Sequence, residues 1–200
     1  RVFDGEIEAV WAARHALRNH RWMLTKNPRD IDTIDAVREF YSSRSAHAHF
    51  VIMLRDPRAV LTSRHAAYPS SRGYYVSFER WLDIYRRFRA LATATDITTL
   101  RYEDLVCTPG RIQAQLEADI GWGRCAEFAH YERAVKDQAL ARDSMTEGAL
   151  GGLRAVESSR IEQWRRPEHA PRIRAMLEAI PQMPDYLIDL GYETDDTWRH

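Results

Sequence analysis

An apolar run from Phe50 to Leu54, followed at once by Arg55, Asp56 and Pro57, restricts the fold more than any other stretch of this chain. The run is too short for a globular helix, and it suits a parallel strand buried on both faces. Asp56 is a natural N-cap, and Pro57 falls at the first helical position, where its missing N–H costs nothing. Ala59, Val60 and Leu61 carry the helix on. Arg55 is therefore expected at the carboxyl end of a buried strand, beside the free N–H groups of a starting helix. In open α/β sheets ligands bind in that crevice, and helix N-termini attract anions. An Arg fork there suits a phosphate. Ser63, read as lying two turns into the helix, adds a hydroxyl from the same side. The pattern fits equally a strand–turn–helix in which Arg55 only pairs with a nearby carboxylate.

The remaining segments supply matching elements. Residues 6–18 have helical spacing, and residues 22–25 read as a short strand that Asn27-Pro28 stops. Lys26 thus sits at a strand's carboxyl end, as Arg55 does. Further helices are expected over 31–41 and 75–94, then a third strand over 97–100. Pro109 opens a helix whose apolar set is Ile112, Leu116 and Ile120, stopped at Gly121. Residues 124–157 are polar, with Gly148, Gly151 and Gly152, and are expected as short helices and a loop. A helical turn around Trp164 and helices over 171–180 and 183–190 complete one domain, 1–193, with 194–200 as a loose tail. The alternation implies a three-layer α/β domain with a mostly parallel sheet flanked by helices and right-handed crossovers.

Composition narrows the partners. Lys and Arg number 29, as do Asp and Glu, and zero net charge argues against a dedicated nucleic-acid binder. No segment approaches the apolar length of a membrane span and none resembles a signal peptide, so a bacterial cytoplasm is expected ahead of a secretory lumen. Cys107 and Cys125 suit a disulfide or two reduced thiols equally. The histidines show no ligand spacing, so no metal is expected. Lys26 and Lys136 are the only lysines in an Arg-rich chain, which sets Lys26 apart.

Arg55-Asp56-Pro57-Arg58, with Ser63 eight residues after the first Arg, resembles the 3′-phosphate-binding segment of the sulfotransferases that use 3′-phosphoadenosine-5′-phosphosulfate (PAPS). Trp22-Met23-Leu24-Thr25-Lys26-Asn27-Pro28 is similar to that family's strand ending in a Lys close to a Pro. Tyr102-Glu103-Asp104-Leu105 resembles its Tyr-Glu-Asp-Leu segment, followed there too by a Pro-started helix, here running from Pro109 to Gly121. Arg160 and Trp164 resemble its late segment, and Leu190-Gly191-Tyr192 its terminal Leu-Gly-Tyr. These matches cover roughly residues 20 to 193 and look most like the tyrosylprotein and heparan-type branches and their bacterial relatives. The family's opening strand, its loop for the 5′-phosphosulfate and its catalytic carboxylate have no counterpart here. They are expected to precede Arg1 in a longer protein.

The resemblance implies the P-loop-like sulfotransferase fold and transfer of a sulfuryl group from PAPS to an acceptor hydroxyl, without a metal. It implies that Arg55 and Ser63 hold the 3′-phosphate, that Tyr102 packs near the adenine, and that Arg160 reaches the 3′-phosphate. Gln163 stands where the tyrosylprotein branch has a Lys. Lys26 would neutralise the transferring group and the leaving oxygen, a task for a compact point charge. The acceptor would be a saccharide, a tyrosyl group or a small molecule, entering past residues 68–75 and 143–157; the oligomeric state is unassigned. Read from the residues alone, Lys26 suits a surface position and Tyr102 a half-polar core position. Glu103 and Asp104 suit contacts to backbone or Arg better than a base. Two rival functions are a nucleotide-dependent kinase, which needs a Gly-x-x-x-x-Gly-Lys-Ser/Thr loop that the chain lacks, and a non-catalytic nucleotide-binding remnant.

Overall fold

The computed structural model describes residues 30–43, 47–64, 73–121, 127–130, 158 and 161–199. The helix expected over 6–18, the strand over 22–25 and most of 124–157 lie outside them. The described chain runs α1 (Ile34–Ser42), β1 (Phe50–Leu54), α2 (Pro57–Thr62), α3 (Phe78–Leu91), β2 (Ile97–Arg101), α4 (Tyr102–Cys107), α5 (Pro109–Ile120), α6 (Ala170–Ala179) and α7 (Met183–Asp189), with short 3-10 turns between. This is a mixed α/β arrangement. Its sheet, among the described residues, is two parallel strands, with Phe50 opposite Ile97 and Leu54 opposite Arg101.

Local chemistry sets most boundaries. The Asp56 carboxylate accepts from the Arg58 N–H at 2.8 Å and Pro57 opens α2. The Ser77 hydroxyl accepts from the Arg80 N–H at 3.1 Å, so α3 starts at Phe78, three residues later than its apolar spacing suggests. Helix α5 ends at Gly121, which takes the left-handed conformation at φ 73° while its N–H bonds Glu117 O. Arg38 ties α1 to the start of β2, donating to both oxygens of Asp96 at 2.6 and 3.0 Å. Those hydrogen bonds hold the Asp96 carboxyl below the usual carboxylate range.

The largest buried cluster lies between helices: Leu61 of α2, Trp81 of α3, Met176 of α6, Ile180, and Met183 and Leu187 of α7. A second cluster sits on the sheet, where Ile112 and Leu116 of α5 cover Leu100. Burying each such side chain contributes roughly 1.5–3 kcal/mol. The expectation that β1 is buried on both faces is corrected, since Val51 is 39% and Met53 45% exposed. Register places these two beside Thr98 and Leu100, and α5 packs over β2 rather than over them. The segment after Glu193, read as a tail, carries Trp198 edge-on against buried Trp164, with ring centroids 6.4 Å apart. Among the described residues no helix is long and apolar enough to cross a membrane.

Candidate functional site

Parallel register decides which side chains meet at the carboxyl ends of the strands. Leu54 stands opposite Arg101, so the residues that follow, Arg55 and Tyr102, leave the sheet side by side. The Arg55 guanidinium lies over the Tyr102 ring, 4.7 Å from its centroid. That contact is favourable by roughly 0.5–2 kcal/mol. It uses the face of the fork rather than its N–H groups. The Arg55 Nε is buried and has no hydrogen-bond partner among the described residues. An unsatisfied buried donor costs roughly 1–3 kcal/mol, which an anion placed against it would remove. The simple ion-pair reading of Arg55 finds no carboxylate among the described residues.

The carboxylates that follow Tyr102 at the start of α4 are engaged elsewhere. Glu103 accepts from the Asp56 N–H at 3.0 Å through Oε1 and from the Tyr192 hydroxyl at 3.2 Å through Oε2. Asp104 pairs with Arg111 at 3.0 Å. Both acids hold structure, as their positions after Tyr102 suggested. Burial, and then the Glu103 charge, push the Tyr192 hydroxyl above the usual tyrosine range, so it remains a donor.

Arg58, to which the sequence assigned no role, is the most tightly held cation of the turn. It is 2% exposed, donates to Asp56 at 2.7 Å and to Glu193, and lies over the rings of Trp164 at 3.8 Å and Trp198 at 4.7 Å. Burial pulls its pKa down, but the bonds to Asp56 and Glu193 more than offset this and raise it. The Asp56 carboxylate therefore serves both Arg58 and the helix start. One of the N–H groups expected to be free for an anion is already occupied by it. The signal for Arg58 was present only as a second Arg beside an N-cap; the partners come from the far end of the chain.

Ser63 departs from its expected setting. Helix α2 ends at Thr62, whose hydroxyl bonds back to Arg58 O, and Ser63 is its C-cap in extended backbone at φ −68° and ψ 132°. Its carbonyl accepts from the Tyr75 N–H at 3.1 Å. Arg55 and Ser63 thus flank opposite ends of α2, whose six residues span roughly 9 Å at 1.5 Å per residue. Lys26, His65 and Arg160 lie outside the described residues. A pocket of about 270 Å³ is lined by Leu54 of β1, Thr99 and Arg101 of β2, Gln115 of α5, and Asp189 and Leu190 among others; neither Arg55 nor Ser63 lines it. Its charges are held locally, Arg89 by Asp189 at 3.1 Å and Arg101 by Leu190 O at 2.9 Å. No group of three His, Cys, Asp or Glu among the described residues could hold a metal ion.

Comparison with known proteins adds one finding. The model of the Sulfotransferase family matches residues 1–123, more than half of the chain and a span that contains Lys26, Arg55, Ser63 and Tyr102. No curated protein and no solved structure matches.

Proposed function

Since the chain belongs to the sulfotransferase family, we propose that it transfers a sulfuryl group from PAPS to the hydroxyl of an acceptor, a saccharide, a tyrosyl group or a small molecule. The observation that carries this reading is the buried Arg55 Nε at a strand end, without a hydrogen-bond partner among the described residues and with Tyr102 beside it. In this reading Arg55 donates to the 3′-phosphate and Ser63 adds a hydroxyl from the other end of α2. Tyr102 packs near the adenine, and Arg160 reaches the phosphate from the late segment. Lys26 neutralises the charge that develops on the bridging oxygen, since sulfuryl transfer, like phosphoryl transfer, leaves the protein mainly positioning and charge stabilisation.

Isothermal titration calorimetry of the purified protein with adenosine 3′,5′-bisphosphate and with AMP tests the assignment. Tighter binding of the bisphosphate is expected. Equal affinity for the two would remove its basis.

A further inference from the structure

Glu103 has no part in the roles given above, yet it joins three segments at the strand ends. The ladder between β1 and β2 stops at the pair Leu54 and Arg101. One step further, Arg55 and Tyr102 touch through their side chains, and one step beyond that the Asp56 N–H bonds Glu103 Oε1. The second bond extends the register past the sheet, so the Arg55 backbone is held on both sides. Glu103 is itself braced from the far end of the chain by the Tyr192 hydroxyl. Backbone carrying a long Arg side chain loses productive geometry with a rotation of roughly 10–20°. A bond fixing the peptide next to Arg55 therefore decides where its guanidinium points.

We propose that Glu103, braced by Tyr192, is a positioning residue that aims Arg55 and thereby sets the preference for a 3′-phosphorylated nucleotide; this rests on the reading of Arg55 as the 3′-phosphate ligand. An ionised carboxylate suits the task because it only accepts, and both neighbours donate. Glutamine substitutes for it: its carbonyl takes the Asp56 N–H, and its NH₂ donates to the Tyr192 oxygen. Leucine satisfies neither.

The test is calorimetry of wild type, Tyr192→Phe, Glu103→Leu and Glu103→Gln with adenosine 3′,5′-bisphosphate and AMP, normalised to the folded fraction from circular dichroism. Loss of the bracing hydrogen bond in Tyr192→Phe should lower the bisphosphate-to-AMP affinity ratio roughly two- to tenfold. The AMP affinity should stay unchanged, Glu103→Leu should lose more of the ratio, and Glu103→Gln should keep it. A purely structural role would reduce the folded fraction and leave the ratio alone, which overturns the inference. Should Glu103→Leu not fold, Tyr192→Phe decides alone. A wild type without preference overturns the reading of Arg55, and this inference with it; a wild-type preference retained in folded variants overturns only the inference.

Discussion

Arg55 and Arg58 share one turn and have different tasks. Arg58 has two carboxylates and two indole rings around its guanidinium, so its charge is spent inside the fold. Removing one member of such a buried set typically costs about 3–5 kcal/mol, because the remaining charge is left unpaired. Arg55 has an aromatic face beneath it and a donor with nothing to bond among the described residues. Its removal should therefore act on binding rather than on folding. A charge-assisted hydrogen bond contributes roughly 1.5–3 kcal/mol, so Arg55→Ala is expected to weaken adenosine 3′,5′-bisphosphate binding about ten- to hundredfold. Ser63→Ala should cost less, because a neutral hydroxyl contributes roughly 0.5–1.5 kcal/mol. Calorimetry on the folded variants measures both, and an Arg55→Ala protein that does not fold would make Arg55 a structural residue.

At the scale of elements, the turn after α7 holds the end of β2. Gly191 sits at φ 70°, in the left-handed region, and a Cβ there would overlap the Arg101 guanidinium that donates to Leu190 O. Arg101 also lies over the Tyr192 ring at 5.1 Å. The Leu-Gly-Tyr sequence thus reads as a coupling between the last helix and the strand end: Gly for the backbone conformation, Tyr for the reach to Glu103. Left-handed backbone costs a non-glycine residue roughly 1–2 kcal/mol, and displacing Arg101 forfeits a further ~1 kcal/mol. Gly191→Ala should accordingly lower unfolding stability by about 2–3 kcal/mol in urea titration. A loss within experimental error would mean that Arg101 swings aside and the turn carries no coupling.

Across the whole molecule, the site region is closed by partners far apart in the chain. Tyr192 meets Glu103 across 89 positions and Glu193 meets Arg58 across 135. Long-range closures of this kind form late and slowly, since loop entropy opposes them until the rest is in place. Charge is balanced at 29 against 29, so no net basic charge is present to draw in an anionic ligand. Under the proposed function, recognition would rest on a few placed cations. Lys26 is the cation in the family-matched span whose expected effect belongs to chemistry. Lys26→Ala should lower kcat and kcat/KM together, by about a hundred- to a thousandfold, with the nucleotide KM nearly constant. Lys26→Arg should rescue poorly, because a planar fork does not replace a point charge. Steady-state kinetics with labelled PAPS separates this from a rise in KM at constant kcat, which would make Lys26 a binding residue only.

Local chemistry was legible without coordinates. The apolar run gave β1 its limits, Asp56 and Pro57 the start of α2, and Pro109 and Gly121 both ends of α5, because each signal acts within a few residues of itself. The spacing of the motifs also pointed to the family that residues 1–123 match. Ser77 as the start of α3, Thr62 as the end of α2 and the open face at Val51 and Met53 were not legible from periodicity. Periodicity records which residues are apolar, while caps and covering elements decide where a helix stops and which strand is covered. Which of the two arginines of this turn is paired with carboxylates was decided largely by the tertiary structure. Asp56 is a local partner of Arg58, but its other partners, Glu193 and two tryptophans, lie more than a hundred residues away, and only the fold brings them to it and leaves Arg55 without a carboxylate among the described residues.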